Sequence, residues 1–290
     1  LTGKIHRGHT PLLHYSATPV ETAEMVATEK MAWRRHMGTV TPTAKHLLEK
    51  AVKQSGRRST VQLPAEFARV AKAGQPSTPL WRRFSEGEVA FKVYLTLVLL
   101  TRKDPHELYR VIPDHYWAEL LGYEELNPAD PIAGPGTRRV KRAMKALEKR
   151  GAPDGKGWIT RIPERGRGFK FTVVHLPEPK QAPYITIPIE LWSKGWICVM
   201  SARALYVYLC LRLVLAGRED SVGAHVSASD RKGFLVKDDT WQRGMKELEA
   251  LRLARSEITR VAEDRWTSDL RERKVYYLNS DYLKSTNSWD

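Results

Sequence analysis

The chain has 290 residues, 42% of them hydrophobic, and its 48 Lys and Arg against 33 Asp and Glu leave a formal net charge of +15. That is room for two domains with their own cores plus an extension, in a composition ordinary for a folded soluble protein. No apolar run approaches the roughly 20 residues that cross a bilayer, and two cysteines, Cys198 and Cys210, are too few for a disulfide framework or a metal site.

Residues 1–84 hold fourteen Lys and Arg against five Asp and Glu, a net +9, and read as a basic N-terminal extension of helical and extended pieces. Its opening on Leu1, with no signal peptide in view, reads as a fragment or a processed form. Helices are predicted over Pro19–Met37 and Pro42–Lys53, then a break at Gly56-Arg-Arg-Ser59, a short helix over Pro64–Ala73 and a linker at Gly74–Pro79. Low apolar density suits docking on a partner or on the next domain, and equally a partly disordered basic tail.

A first module is expected over 85–177, with a net charge of +4. Ser85-Glu-Gly-Glu88 fits a capping box for a helix over Glu86–Thr101, apolar on most faces as a central core helix would be. Tyr109–Ile112 reads as a strand. Pro113 opens a second helix through Trp117 and Leu121, closed by Gly122. The Pro-, Gly- and Asp-rich segment Glu124–Gly136 is a loop, and a third helix runs from Gly136 to Arg150. Strands Trp158–Ile162 and Phe169–Val174 flank the turn Glu164-Arg-Gly-Arg-Gly168.

Residues 178–183 form a stiff, Pro-rich linker, and a second module is expected over 184–290. It opens with the strand Tyr184–Ile187 and an aromatic stretch holding Trp192 and Trp196. Ser201 caps a helix to Leu215, a short helix lies between Ser227 and Lys232, and Asp238 or Asp239 caps a third helix through Leu251. The last strands are Ala254–Arg260 and Lys274–Asn279, with Glu263–Glu272 as their tip. Cys198 and Cys210 sit in apolar settings and read as buried thiols of a reducing compartment.

The two modules echo each other. Arg142-Ala-Met-Lys-Ala-Leu-Glu148 returns as Arg243-Gly-Met-Lys-Glu-Leu-Glu249, and Val93–Leu100 returns as Val207–Val214. The first copy spaces the two strings thirteen residues wider, which the 124–136 loop absorbs. One unit used twice follows. Three helices and then a hairpin is the layout of a winged helix-turn-helix, so the expected fold is mainly α with small β-hairpins: two such domains in tandem behind the basic extension.

At 100° per residue, Val140, Met144 and Leu147 share one face of the first basic helix, and Arg138, Arg142, Lys145 and Lys149 share the opposite one, flanked by Arg139 and Lys141. Such a helix fits the major groove of B-DNA, where Arg pairs with guanine and Lys neutralises phosphate. Arg165 and Arg167 at the hairpin tip suit a narrow minor groove, with Lys170 on the following strand. The later basic helix buries Trp241, Met245 and Leu248. Its outward face is expected to hold Asp239, Arg243, Lys246 and Glu247, with Thr240, Gln242, Arg243 and Lys246 as candidate DNA contacts and Glu247 suited to cytosine. That mixed face could equally bind protein. Catalytic pairings are poor: nine histidines are scattered, and neither a phosphate-cradling Gly-Lys-Ser/Thr loop nor a Gly-x-Ser-x-Gly elbow occurs. The chain reads as a non-enzyme with no metal and no cofactor.

The runs Ile187-Pro-Ile-Glu-Leu-Trp192, Gly195-Trp196, Met200–Leu205, Asp238-Asp-Thr-Trp241 and Glu247–Leu251 resemble a winged-helix module of actinobacterial mobile elements. Two winged helices in one chain resemble bacterial plasmid replication initiators; the resemblance spans roughly 85–283. It implies sequence-specific binding of double-stranded DNA in replication initiation or its transcriptional regulation, in the cytoplasm on nucleoid or plasmid and away from membranes. Homo-oligomers and replication or partition proteins are the further partners expected. The nickase residues of rolling-circle initiators are not matched. Two rivals stand beside this reading: a partition or chromosome-organisation module whose second winged helix binds protein, and an RNA binder, against which the basic faces lack stacking aromatics.

Overall fold

Thr41 and Gly56 fix the ends of helix α1 (Pro42–Ser55): Thr41 Oγ1 accepts from Ala44 N at 3.1 Å, and Gly56 closes the helix at a left-handed φ of 64°. The computed structural model describes residues 40–69, 78–101, 106–108, 112–123, 134–149, 157–164, 168–174, 184–216, 222–262 and 270–285, without the side chains of 163–164, 168–173, 261–262 and 270–271. The helix expected over Pro19–Met37, residues 74–77 of the linker expected over Gly74–Pro79 and the linker 178–183 lie outside them.

After α1 the chain departs from the expected extension. Val61 and Leu63 are buried on strand β1 (Thr60–Pro64); of the helix expected over Pro64–Ala73, the described residues to Arg69 hold a 3-10 turn, Ala65–Phe67, and the rest lies outside them. A short helix α2 (Pro79–Ser85), capped by Thr78, ends at the residue expected to start the next one. Ser85 Oγ bonds back to Arg82 O at 2.8 Å, so the capping-box expectation fails. Gly87, at φ 105°, is the true N-cap of α3 (Glu88–Leu100). Every residue of α3 from Ala90 to Leu100 is buried, because neighbours cover it on all sides. Arg57 closes its far end, donating to Val98 O, Leu99 O and Thr101 O at 2.8, 2.9 and 3.1 Å.

The first module continues with β2 (Glu107–Leu108), α4 (Asp114–Leu120), α5 (Pro135–Glu148), β3 (Ile159–Glu164) and β4 (Gly168–Val174). Strand β2 covers Glu107–Leu108, and residues 109–111 of the strand expected over Tyr109–Ile112 lie outside the described residues. The second module opens with β5 (Tyr184–Pro188) and two one-turn helices, α6 (Glu190–Ser193) and α7 (Trp196–Val199). It continues with α8 (Ala202–Leu215), β6 (Ala224–His225), α9 (Ala228–Gly233), α10 (Asp238–Ala250), β7 (Ala254–Ala262) and β8 (Leu270–Leu278), and α11 (Ser280–Lys284) packs back on α6. Ser201 Oγ caps α8, and Ser227 with Asp230 makes a capping box on α9. Lys237, not Asp238 or Asp239, is the N-cap of α10; both acids lie inside its first turn, where a helix dipole favours them. The strands of the last hairpin are longer than expected, and residues 263–269 between them lie outside the described residues.

Both modules therefore run helix, strand, helix, helix, strand, strand, and their three-stranded antiparallel sheets have matching orders, β2-β4-β3 and β6-β8-β7. The molecule is mainly helical with small antiparallel sheets. Cys198 and Cys210 are buried and unbridged.

A third sheet joins the modules: β1 pairs antiparallel with β5. The joint uses an echo of its own, Leu63-Pro-Ala-Glu-Phe67 against Ile187-Pro-Ile-Glu-Leu191. With Pro64 set against Pro188, Gln62 becomes the counterpart of Thr186, and Gln62 pairs with Thr186. Val61↔Ile187 and Leu63↔Ile185 are then one pairing seen twice. The segments behind these strands cross over in both directions. From the first copy, Phe84 and Trp81 pack on Tyr206 of α8, with ring centroids 5.1 and 6.4 Å away, and Arg69 reaches Asp230 of α9 at 2.9 Å. From the second, Trp192 Nε1 donates to Thr96 Oγ1 of α3 at 3.1 Å, Cys198 O accepts from Lys92 Nζ at 3.0 Å, and Cys198 Sγ approaches Leu120 O of α4 at 3.6 Å. Residues 37–290 form one compact unit.

Candidate nucleic-acid interface

Helix α5 begins on Pro135, whose missing N–H costs nothing in a first turn. Its apolar residues recur at helical spacing, and Val140, Ala143, Met144 and Leu147 are all buried against the rest of the first module. Burying a Val, Met or Leu side chain stabilises by roughly 1.5–3 kcal/mol, which fixes the helix's rotation about its axis. The opposite side carries Arg138, Arg139, Lys141, Arg142, Lys145 and Lys149, all exposed, Lys149 as the C-cap. Among the described residues none of the six forms an ion pair; Arg142 Nε lies 3.4 Å from Arg138 O on its own helix. Cations at i,i+4 with no acid between them repel by roughly 0.2–0.5 kcal/mol per pair. A face of this kind is relieved by a polyanion.

The one acid of the last turn is turned aside. Glu148 accepts from both Nε and Nη2 of Arg161 on β3, each at 2.8 Å, and Arg161 also lies 4.0 Å from Asp114 of α4. Trp158 N donates to Leu147 O at 2.8 Å. A Cβ on Gly157 would sit 2.5 Å from Glu148 O, so only glycine lets the chain pass this close to the helix end. Trp158 is covered by the guanidinium of Arg83, 4.4 Å from its ring, and Arg83 pairs with Glu86. Burial lowers the Arg83 pKa to about 10, against the raising effect of Glu86. These contacts clamp the base of the β3–β4 hairpin to α5. The hairpin bends at a bulge between Ile162 and Pro163, where proline lacks a ladder donor. Arg165 and Arg167 lie outside the described residues; Lys170 lies on β4, its side chain likewise outside.

Helix α10 packs closer to its own core. A Cβ on Gly244 would approach Val207 Cγ2 at 2.5 Å and Arg203 O at 3.1 Å on α8, so glycine sets the separation of the two helices. Trp241, Met245 and Leu248 are buried. The exposed stripe is Asp239, Gln242, Arg243, Lys246 and Glu249, with Thr240 half-buried at its edge. Arg243 is paired with Asp239 at 2.8 Å. Glu247, expected to point outward and read a base, is only 3% exposed. Its carboxylate accepts from Ser201 N at 2.7 Å and from Ser201 Oγ, at the start of α8. Burial raises its pKa against those two bonds.

Sequence reasoning missed the second hairpin as a surface. Glu257, Ile258, Thr259 and Arg260 are exposed in succession, so over these residues both faces of β7 are in solvent. Ile258 is 73% exposed. Arg255 lies 4.1 Å over the Tyr277 ring and pairs with Glu257 at 3.0 Å, while Arg260 faces Glu272 at 3.8 Å. The signal available in sequence was the unbroken polar run around Ile258, where a half-buried strand would alternate.

No family model, no curated protein and no solved structure matches this chain. Among the described residues no group of three His, Cys, Asp or Glu could hold a metal ion, and no helix is long and apolar enough to cross a membrane.

Proposed function

We propose that this chain is a sequence-specific double-stranded DNA-binding protein made of two winged helix-turn-helix modules, with α5 and α10 as their recognition helices. The carrying observation is the cationic face of α5, ion-paired to none of the described residues, on a helix tied to the β3–β4 hairpin by the Glu148–Arg161 bridge. The repeated element and sheet orders support the fold reading, since a helix–strand–helix–helix–hairpin with the first strand paired to the last is the winged-helix arrangement. Replication initiation of a plasmid or related element, or regulation of that process, is the role the sequence resemblance favours.

The test is selection of bound duplexes from randomised DNA, followed by a salt titration of the best binder. A face with six cations should give a steep linear fall of log affinity with log salt, losing about 10³-fold or more between 50 and 200 mM. A flat salt response, or no enriched duplex, would contradict the reading. A second reading has its own observation: the Asp239–Arg243 pair and Glu249 make the α10 face mixed in sign, which suits a protein partner in partition or chromosome organisation. One short footprint per chain favours that alternative, and two adjacent footprints favour two DNA-reading helices.

A further inference from the structure

We infer that the duplex bound by this chain is an inverted repeat of two unequal half-sites, its dyad aligned with a local two-fold axis between Gln62 and Thr186. This rests on the DNA-binding reading above and adds the orientation of the site. Tandem repetition in sequence ordinarily suggests modules related by translation, which would read a direct repeat. The seam argues otherwise. A self-complementary, isologous contact is the mark of two-fold symmetry, and the register of β1 with β5 is self-complementary: the pairs Val61↔Ile187 and Leu63↔Ile185 exchange places when the copies exchange places, and Gln62↔Thr186 maps onto itself. The crossing segments obey the same rule. The first copy reaches α8 and α9 of the second, and the second reaches the corresponding α3 and α4 of the first. Helices α3 and α8, counterparts in the two copies, pack on each other.

Under that operation α5 and α10 stand at equal height along the axis, on opposite sides of it. B-DNA has two-fold axes perpendicular to its length, so two recognition helices so related meet opposite strands, and half-site orientation mirrors protein symmetry. The halves are unequal because the exposed residues differ at matched positions. Arg138, Arg139 and Lys141 correspond to Asp239, Thr240 and Gln242, whereas Arg142 and Lys145 correspond to Arg243 and Lys246. The shared pair should leave a symmetric remnant in the natural site.

The experiment regularises the repeat. In the full chain, D239R/T240R/Q242K/A250K gives α10 the six cations of α5, and the reverse variant R138D/R139T/K141Q/K149A gives α5 the residues of α10 at those positions. Each is used with the wild type to select from randomised duplexes. The expected result is an inverted repeat of one half-site from either variant, bound at least about tenfold tighter than the same half-sites placed as a direct repeat. If one variant fails to fold, the other decides; the wild-type site should itself show inverted symmetry at the bases met by Arg142 and Arg243. A direct repeat, or a lone half-site, from a folded variant overturns the inference while leaving duplex binding intact. Failure of the wild type to enrich any duplex instead removes the DNA-binding reading, and the inference with it.

Discussion

Arg142 is the residue on which the reading of α5 is most exposed to refutation. It sits mid-face between Arg138 and Lys145, solvent-exposed and with no ion pair among the described residues. If it contacts a guanine, Arg142→Ala costs about 1–3 kcal/mol at the selected site and relaxes preference at one base pair. Equal affinity of variant and wild type in a binding titration would remove that role. Glu88 and Glu247 carry a different consequence, in pH. Burial opposes ionisation of Glu88, but Lys92 at 2.9 Å, Ala202 N and the Tyr123 hydroxyl outweigh it and hold its carboxyl below the ordinary 4.5. A depressed folded pKa means stability that is complete above 4.5 and lost as pH falls through the lowered value. Glu247, raised by burial, has the opposite sign: its contribution is lost as pH climbs from 4.5 through the raised value. Glu88→Gln should therefore flatten the acid-side fall of Tm, and Glu247→Gln the fall on the other side. Variant and wild-type Tm profiles of identical slope would contradict both assignments.

At the scale of elements, α5 and α10 are the same helix set at different depths. Ala143 in α5 is matched by Gly244 in α10, where no Cβ fits beneath Val207. Gly244→Val should overpack the α8–α10 contact and cost about 1–3 kcal/mol, a fall in Tm of a few degrees by calorimetry. An unchanged Tm would show that the helices can part without penalty. The same contrast explains what could be read ahead of the coordinates. The two faces of α5 were legible because a 3.6-residue period with cations opposite Val140, Met144 and Leu147 admits one rotation. Glu247 was misjudged because its burial depends on Ser201, 46 residues earlier, a contact no local period encodes. At Ser85 the capping pattern was present, but the chain bends at Gly87 and starts the helix two residues later. Strand β1 was hidden because it is five residues long, ends in proline and finds its partner only at β5. Its one clue was the Leu-Pro-Ala-Glu-Phe echo, weaker than the two strings that mark the helices.

At the scale of the whole molecule, residues 42–69 and 78–85 are packed parts of the fold. They are the first copy's half of the joint, and their basic character has structural uses: Arg57 closes α3, Arg69 reaches α9 and Arg83 covers Trp158. The excess of positive charge in the N-terminal third therefore overstates its share of any nucleic-acid surface, and the described cationic face lies instead on α5. The crossed-over segments also govern how the molecule tolerates injury. Because Phe84 and Trp81 complete the interior around Tyr206, and Trp192 completes that around Thr96, neither half holds a finished interior when taken alone. Heat, proteolysis or a core mutation that loosens one module must loosen its sibling, so the pair melts as a unit and a stub encoding either portion inherits an unfinished fold.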